Sequence, residues 1–539
     1  MDCVTVERHP LNVRPLGDQL LSEAPDLRPR LGLIAMLPDE ILLRILGEVG
    51  GSSLCACACT SMAMRVLASS EDVWRTCCLE APRIGKRLRV HKDGWRCTYH
   101  MQQAEEVQHV VQQQAHHAAA ASTPAAFRGC AYYSDVLFSP WHCGTAAIPH
   151  CWSRYESIAR VNASELSVDD FCSRYERCGQ PVILTGLVED WPAFSEWSED
   201  RLRARFGNNA GFHVGGHTMG LCDFFDYCLH TRDEQPLYLF DREFAATSAA
   251  ASTQSTSEDP PHARQGSVVD NGQVDNGGGA AKRGLAAEYR IPEYFAASRD
   301  LFEYMPAPYR PDYRWLIAGG VRSGSSWHVD PNATCAWNAC VVGQKKWILT
   351  PPGKPPPGVT ASDDGASVTS PISLYEWFRV FYSSLVDMRR SVAVGSLALE
   401  ATVRAGEILF IPQGWWHCCL NLQPSIAVTQ NFAPRSYARE VLHYLRAGDK
   451  AGDLVSGVPS SLRADMASVF EAVLREHHPE ALRDATSDSA ASLKDVDDSS
   501  RSRRSCSSSL FTRCSVRENG QMVQQTSPTG GAENFFFSF

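Results

Sequence analysis

A histidine and an aspartate stand two residues apart in the run Ser325-Ser-Trp-His328-Val-Asp330-Pro331. On an extended strand, residues i and i+2 point to one face, so both side chains can reach a single ion. Pro331 stops the strand just beyond. A second histidine is available in Gly406-Glu-Ile-Leu-Phe-Ile-Pro-Gln-Gly-Trp-Trp-His417, after a strand and a Pro-Gln-Gly turn. Two imidazoles and one carboxylate form the facial ligand set that suits non-haem Fe(II), leaving positions open for a bidentate 2-oxo acid and for O2. Zinc could take the same ligands but would not perform that oxygen chemistry. A His-x-Asp pair alone is common and ordinarily marks a polar strand edge, so the surrounding residues must carry the case.

Those residues have the texture of many short strands. From about residue 150, β-prone runs alternate with Gly- and Pro-containing breaks: Pro181–Thr185, Leu237–Phe240, Tyr313–Ile317, Trp337–Val342, Lys346–Leu349, Ile408–Ile411 and Ile426–Thr429. This pattern predicts a sandwich or barrel. Two stretches interrupt it, a Ser/Asp/Asn/Gly insertion at 245–282 and a shorter Pro/Gly/Ser loop at 353–370, both expected to be mobile. The resulting division is a flexible arm over 1–30, a small all-α domain over 31–100, a helical linker over 101–150, a β domain over 151–440, helices over 441–483 and a disordered Ser/Asp- then Arg/Ser-rich tail over 484–539. The fold class is α+β.

Bulk composition narrows the setting. Apolar residues make up 44% and charged residues 21%, ordinary for a globular protein. The net charge of −10 provides no global basic footprint, so any nucleic-acid contact would have to be local. No run of about 18 apolar residues predicts a membrane span. The first 30 residues, interrupted by Asp and Pro, do not read as a secretory signal. Twenty scattered cysteines then suggest reduced thiols, and a nuclear or cytoplasmic protein that is not secreted. Cys55, Cys57 and Cys59 lack a second pair at zinc-finger spacing, and His116-His117 lack further ligands; both read as ordinary helix residues.

Taken jointly, Arg322-Ser-Gly-Ser-Ser-Trp-His328-Val-Asp330-Pro331, Ala336-Trp-Asn338, Gly343-Gln-Lys345-Lys-Trp347 and Gly414-Trp-Trp-His417 through Thr429-Gln-Asn431-Phe resemble the JmjC oxygenases over roughly residues 150–440. The nearest likeness is to the arginine demethylase/lysyl-hydroxylase branch. The resemblance implies a double-stranded β-helix, a cupin-like jelly roll with flanking helices, and iron at His328, Asp330 and His417 at one open end. It implies 2-oxoglutarate and O2 as cosubstrates, with Lys345 on the distal carboxylate of 2-oxoglutarate. Lys345 follows a Gly343-Gln344 turn and can point back into the barrel, where a fixed ammonium pairs with a dianion. Lys346 should then face outward. By the same resemblance Asn338, Thr429, Tyr238 and Ser325 contact the cosubstrate, and Asn431 shares the strand face of Thr429. Trp415 and Trp416 read as packing. A protein substrate with Arg or Lys side chains is implied, to be hydroxylated or oxidatively N-demethylated.

Ahead of this region, Leu37-Pro-Asp-Glu-Ile41-Leu42-Leu-Arg-Ile45-Leu46-Gly-Glu-Val49 repeats apolar residues at helical spacing, with Pro38 tolerated at the first turn. Gly50-Gly51 ends the helix, and two further helical stretches are predicted over about 53–68 and 71–80. This resembles an F-box, with the continuation to Val73-Trp74-Arg75; the Cys- and Ala-rich run Cys55–Cys59 departs from the pattern. An F-box implies docking on a Skp-type adaptor of a cullin ubiquitin ligase, and residues 33–80 are expected to do so without the barrel. Two alternatives remain open at this stage, a non-catalytic F-box substrate receptor and an oxygenase acting on a small molecule or RNA.

Overall fold

The computed structural model describes residues 8–79, 87–108, 127, 129–245, 284–353, 355–362, 368–391, 398–447 and 455–486. His116-His117, the insertion beyond Ala245 and the tail beyond Thr486 lie outside the described residues. No helix among the described residues is long and apolar enough to cross a membrane.

The β-prone runs form two facing sheets. The larger has nine strands in the order Arg160–Asn162, Val182–Thr185, Ile408–Ile411, Cys335–Val342, Ser425–Phe432, Arg314–Gly319, Leu239–Asp241, Gly211–Val214 and His217–Gly220. The smaller has four: Leu399–Arg404, Gln344–Thr350, Trp416–Asn421 and Gly324–His328. From Arg314–Gly319 onward the strands pass back and forth between the sheets, except that Gln344–Thr350 and Leu399–Arg404 both lie in the smaller one. Strand Cys335–Val342 turns at Gly343 into Gln344–Thr350 of the opposite sheet, which is the double-stranded β-helix. Gly343 has φ 86°, and a Cβ there would stand 2.2 Å from the Pro424 carbonyl oxygen, so this corner requires glycine.

Strand alternation divides the side chains between an interior and two outer faces. Ala336, Cys340, Trp347, Leu349, Ala401, Val403, Leu409, Ile411 and Cys419 pack together between the sheets. The outer face of the large sheet, with Trp337, Ala339 and Val428, is covered by the N-terminal half of the chain. The outer face of the small sheet is covered by helix Leu374–Ser391, an element the composition reading did not anticipate. Its Leu374, Trp377, Phe378, Tyr382 and Leu385 recur at i, i+3, i+4, i+8 and i+11 and are buried. The loop expected to be mobile at 353–370 is, in its described part, packed on this helix: Trp377 Nε1 donates to the Pro357 carbonyl at 2.7 Å, and Thr360–Ala361 pairs with Val368–Thr369.

The amino-terminal helices are Asp39–Glu48, Gly51–Cys57, Met62–Leu67, Glu71–Leu79 and Trp95–Gln108. The predicted 53–68 stretch is therefore broken; Ser61 caps a new helix by accepting from the Met64 N–H. Two expectations are corrected. Residues 8–30 are not a loose arm, because Val13–Arg14 pairs with Tyr132–Tyr133 and Val13 and Leu27 are buried. Residues 33–80 do not have a core of their own. Leu46, Leu54, Trp74 and Trp95 join one continuous apolar cluster with Phe224, Trp337 and Val428 of the β domain. The seam is also polar: Trp95 Nε1 donates to Asp233 Oδ1 at 2.7 Å, and Tyr227 Oη donates to Asp233 Oδ2 at 2.6 Å.

At the other end, helices Ala438–Arg446, Met466–His477 and Pro479–Thr486 build a separate apolar cluster around Val441, Leu442, Leu445, Met466, Phe470 and Leu474. Ala333, just past Asp330, packs into it.

Candidate active site

His328 ends strand Gly324–His328, and His417 is the second residue of the neighbouring strand Trp416–Asn421. The two are cross-strand partners, with ring centroids 4.2 Å apart. Asp330 lies past the strand end, so His-x-Asp is not wholly on a strand as expected. Its backbone stays extended (φ −58°, ψ 137°), and the alternation still brings the carboxylate to the same side. Asp330 Oδ1 is 3.9 Å from His417 Nε2. One ligand atom from each of His328, Asp330 and His417 can be chosen so that all lie within 4.8 Å of one another.

The imidazole orientations follow from backbone carbonyls two residues earlier. His328 Nδ1 is 2.7 Å from the Ser326 oxygen, and His417 Nδ1 is 3.0 Å from the Trp415 oxygen. A carbonyl only accepts, so each Nδ1 carries the hydrogen and each Nε2 presents a lone pair. Burial, reinforced by His417, pushes the His328 pKa down to about 3, keeping it neutral. Burial pushes the Asp330 carboxyl up, while His417 and the Asn431 amide pull it back. Asp330 Oδ2 is buried and meets no hydrogen-bond donor among the described residues. An acceptor-only oxygen beside two imidazole lone pairs fits a divalent cation. A second group, His91, Asp93 and Cys97, meets the same distance criterion. There, however, His91 Nδ1 already accepts the Asp93 N–H at 3.2 Å, and the Asp93 carboxylate is half exposed.

A β-bulge tunes this end of the small sheet. Ser325 pairs with Cys419 and His328 with His417, so three steps on one strand match two on the other. The extra residue lets Ser325 and His328 face the same side, which simple alternation forbids.

Lys345 stands opposite Asn421, at the far end of strand Trp416–Asn421 from His417. It is 1% exposed, and its Nζ donates to Tyr238 Oη at 2.9 Å. Burial opposes its charge, yet Tyr238, Cys419 and Cys340 hold it above the ordinary lysine range. The Tyr238 and Trp347 rings lie 5.7 and 6.0 Å away. Asn338 and Thr429 are cross-strand partners on the interior face; the Asn338 Oδ1 is buried without a partner among the described residues, and Thr429 Oγ1 donates to the Trp337 carbonyl. Asn431 stands apart from these. It donates to Thr334 Oγ1 at 2.9 Å, beside the Asp330 turn. Trp415 and Trp416 pack on opposite faces, as expected of packing residues.

The expectation for Lys346 is corrected. It leaves the opposite face from Lys345 but does not reach solvent: Lys346 and Glu400 are both fully buried, with Nζ 2.7 Å from Oε2. Asn421 was missed. It is buried, its Nδ2 donates to Ser323 Oγ at 3.0 Å, and its Oδ1 has no partner among the described residues. Counting alternate residues from His417, through 419 to 421, would have found it.

Comparison with known proteins adds the following. Residues 168–437 match the family described as cupin-like domain, and residues 34–80 match the one described as F-box-like. The arginine-specific demethylase JMJ22 of Arabidopsis thaliana is 35% identical, covering 88% of this chain and 82% of its own length. The lysine-specific demethylase JMJ21 of the same plant is 32% identical over 76% of this chain and 38% of its own. The bifunctional arginine demethylase and lysyl-hydroxylase psr-1 of Caenorhabditis elegans is 31% identical over 64% of this chain and 75% of its own.

Proposed function

This chain belongs to the cupin-like, JmjC-type family of Fe(II)- and 2-oxoglutarate-dependent oxygenases, with an F-box-like segment ahead of the barrel, and on that premise we propose that it hydroxylates or oxidatively N-demethylates arginine or lysine side chains of a protein, histones included. The observation that carries the reading is the meeting of two imidazole Nε2 lone pairs and the Asp330 carboxylate inside the barrel that also holds the buried Lys345 ammonium. Iron bound there, with 2-oxoglutarate and O2, supplies an oxidant for a C–H bond while the cosubstrate is decarboxylated to succinate.

The chain's own residues take these roles. His328, Asp330 and His417 hold the metal. Lys345 spends one N–H on Tyr238 and keeps others for the distal carboxylate of 2-oxoglutarate. Tyr238 orients that ammonium through the hydrogen bond its hydroxyl accepts. Asn338, Thr429 and Ser325 line the interior face beside it. Asn431 acts through Thr334 and Asp330, as a brace of the metal-binding turn more than a cosubstrate contact. The apolar interior around Leu349, Val403 and Leu409 excludes water from the oxidising centre.

The F-box-like segment supports docking on a Skp-type adaptor. On helix Asp39–Glu48, Leu42 and Leu46 are buried, whereas Ile41 and Ile45 on that helix, and Val49 next to it, are exposed. An apolar stripe left uncovered by its own domain suits a helical partner surface. Unpaired thiols at Cys340 and Cys419, beside Lys345, suit the reducing nucleus or cytoplasm.

The test is succinate formation by the purified full chain with Fe(II) and 2-oxoglutarate, with mass spectrometry of Arg- and Lys-containing peptides for gain of oxygen or loss of methyl. Folded protein that forms no succinate with any such peptide would overturn the reading.

A further inference from the structure

The turn that follows Asp330 has an unusual backbone. Asn332 (φ 57°) and Ala333 (φ 53°) are consecutive non-glycine residues in the left-handed region. Asparagine tolerates that region; alanine gains nothing there, so a surrounding contact must hold the turn. The buried Asn332 side chain grips one peptide unit of the segment before the C-terminal helices: its Nδ2 donates to the Ser456 carbonyl at 2.9 Å, and its Oδ1 accepts the Ser456 N–H at 3.1 Å. A carboxamide donates and accepts in this reciprocal way without any change of protonation. The anchor point is itself tied down, since Gly457 O accepts the Asp312 N–H at 2.9 Å. Ala333 seats in the apolar cluster of the C-terminal helices, and Thr334 Oγ1 closes the turn onto the Pro331 carbonyl at 2.8 Å.

We propose that Asn332 is a positioning residue for the metal centre. By clamping the Ser456 peptide it holds the left-handed turn that sets the Asp330 carboxylate against His417. The Ser456 peptide, ahead of the C-terminal helices, is on this account a working part of the oxygenase site. The inference rests on the reading of Asp330 as a metal ligand and assigns a role to a residue that touches neither metal nor cosubstrate.

The test measures Co(II) affinity and its visible absorption spectrum in the full chain, alongside thermal unfolding. Asn332→Gly keeps the left-handed backbone and removes the clamp; Asn332→Asp keeps the acceptor and removes the donor. Both should weaken Co(II) binding by about 10- to 100-fold and alter the spectrum, as loss of a supporting contact to a ligand does. Leu474→Ala lowers the stability of the same C-terminal cluster without altering the Asn332–Ser456 hydrogen bonds, and should leave Co(II) affinity within about twofold of wild type, because the side chain removed contributes apolar packing. The inference is overturned if both Asn332 variants bind Co(II) with wild-type affinity and spectrum, or if Leu474→Ala weakens binding as much as they do. Failure of the wild type to bind Co(II) more tightly than His328→Ala would sink the metal reading itself, a distinguishable result.

Discussion

Lys345 and Lys346 are neighbours on strand Gln344–Thr350, and their ammonium groups are buried on opposite faces of the small sheet. Lys345 reaches Tyr238 in the barrel interior, whereas Lys346 pairs with Glu400 beneath helix Leu374–Ser391 and also donates to the Tyr155 carbonyl. One lysine faces the barrel interior; the other secures the outer face of the sheet that carries it.

His328→Ala and Asp330→Ala should each reduce Fe(II) or Co(II) affinity by more than about 100-fold, since losing a direct ligand exceeds the loss from a supporting contact. Succinate formation should vanish while the circular dichroism spectrum is retained. Wild-type turnover by either folded variant would show that the iron sits elsewhere.

Lys345→Ala should weaken 2-oxoglutarate binding by about 30- to 1000-fold, the worth of a buried charge-assisted contact. Tyr238→Phe removes the hydroxyl that Lys345 Nζ reaches, so it should cost less, about 3- to 10-fold. Calorimetric titration with metal present checks both. Equal effects of the two variants would contradict the assignment of the carboxylate to the ammonium.

Lys346→Ala should destabilise the fold by about 3–5 kcal/mol, because it strands the buried Glu400 carboxylate. Replacing both residues, Lys346→Met with Glu400→Leu, should restore most of that loss, as paired apolar replacements commonly do. Denaturant unfolding followed by tryptophan fluorescence measures each. A double variant as unstable as the single one would mean that the pair is needed for more than mutual neutralisation, with the Tyr382 hydroxyl that donates to Glu400 at 2.9 Å the next suspect.

Ile45→Asp should abolish capture of a Skp-type adaptor and leave 2-oxoglutarate turnover intact, since Ile45 is 49% exposed and part of no core. Leu46→Asp places a charge in the continuous apolar cluster and should unfold the amino-terminal half, costing turnover as well. Asp330→Ala should retain adaptor capture. The pull-down uses the full chain, because the amino-terminal helices share their core with the β domain. Adaptor capture by Ile45→Asp at wild-type strength would reassign the exposed stripe.

Much of the site was legible because its signals are local. His328, Asp330 and His417 sit beside a proline and a Pro-Gln-Gly turn that stop strands, and alternation brings their side chains to one face. The helix at 39–48 was equally plain from its apolar period. Ser325 shows the limit of alternation: only the pairing of two strands reveals the bulge that brings it round to the side of His328.

The sequence by itself thus determined the residue types at 328, 330 and 417, the strands on which the two histidines lie and the face of Lys345, because these depend on residue chemistry and on a backbone repeat of two. It could not determine what lies against each face. That Lys346 is buried, that the residue 8–30 segment is ordered, that the F-box-like helices share a core with the barrel and that Asn332 grips Ser456 all depend on residues more than 50 positions away. Tertiary structure alone decided them, because a side chain's environment is set by whatever distant segment packs over it, and no local period records that.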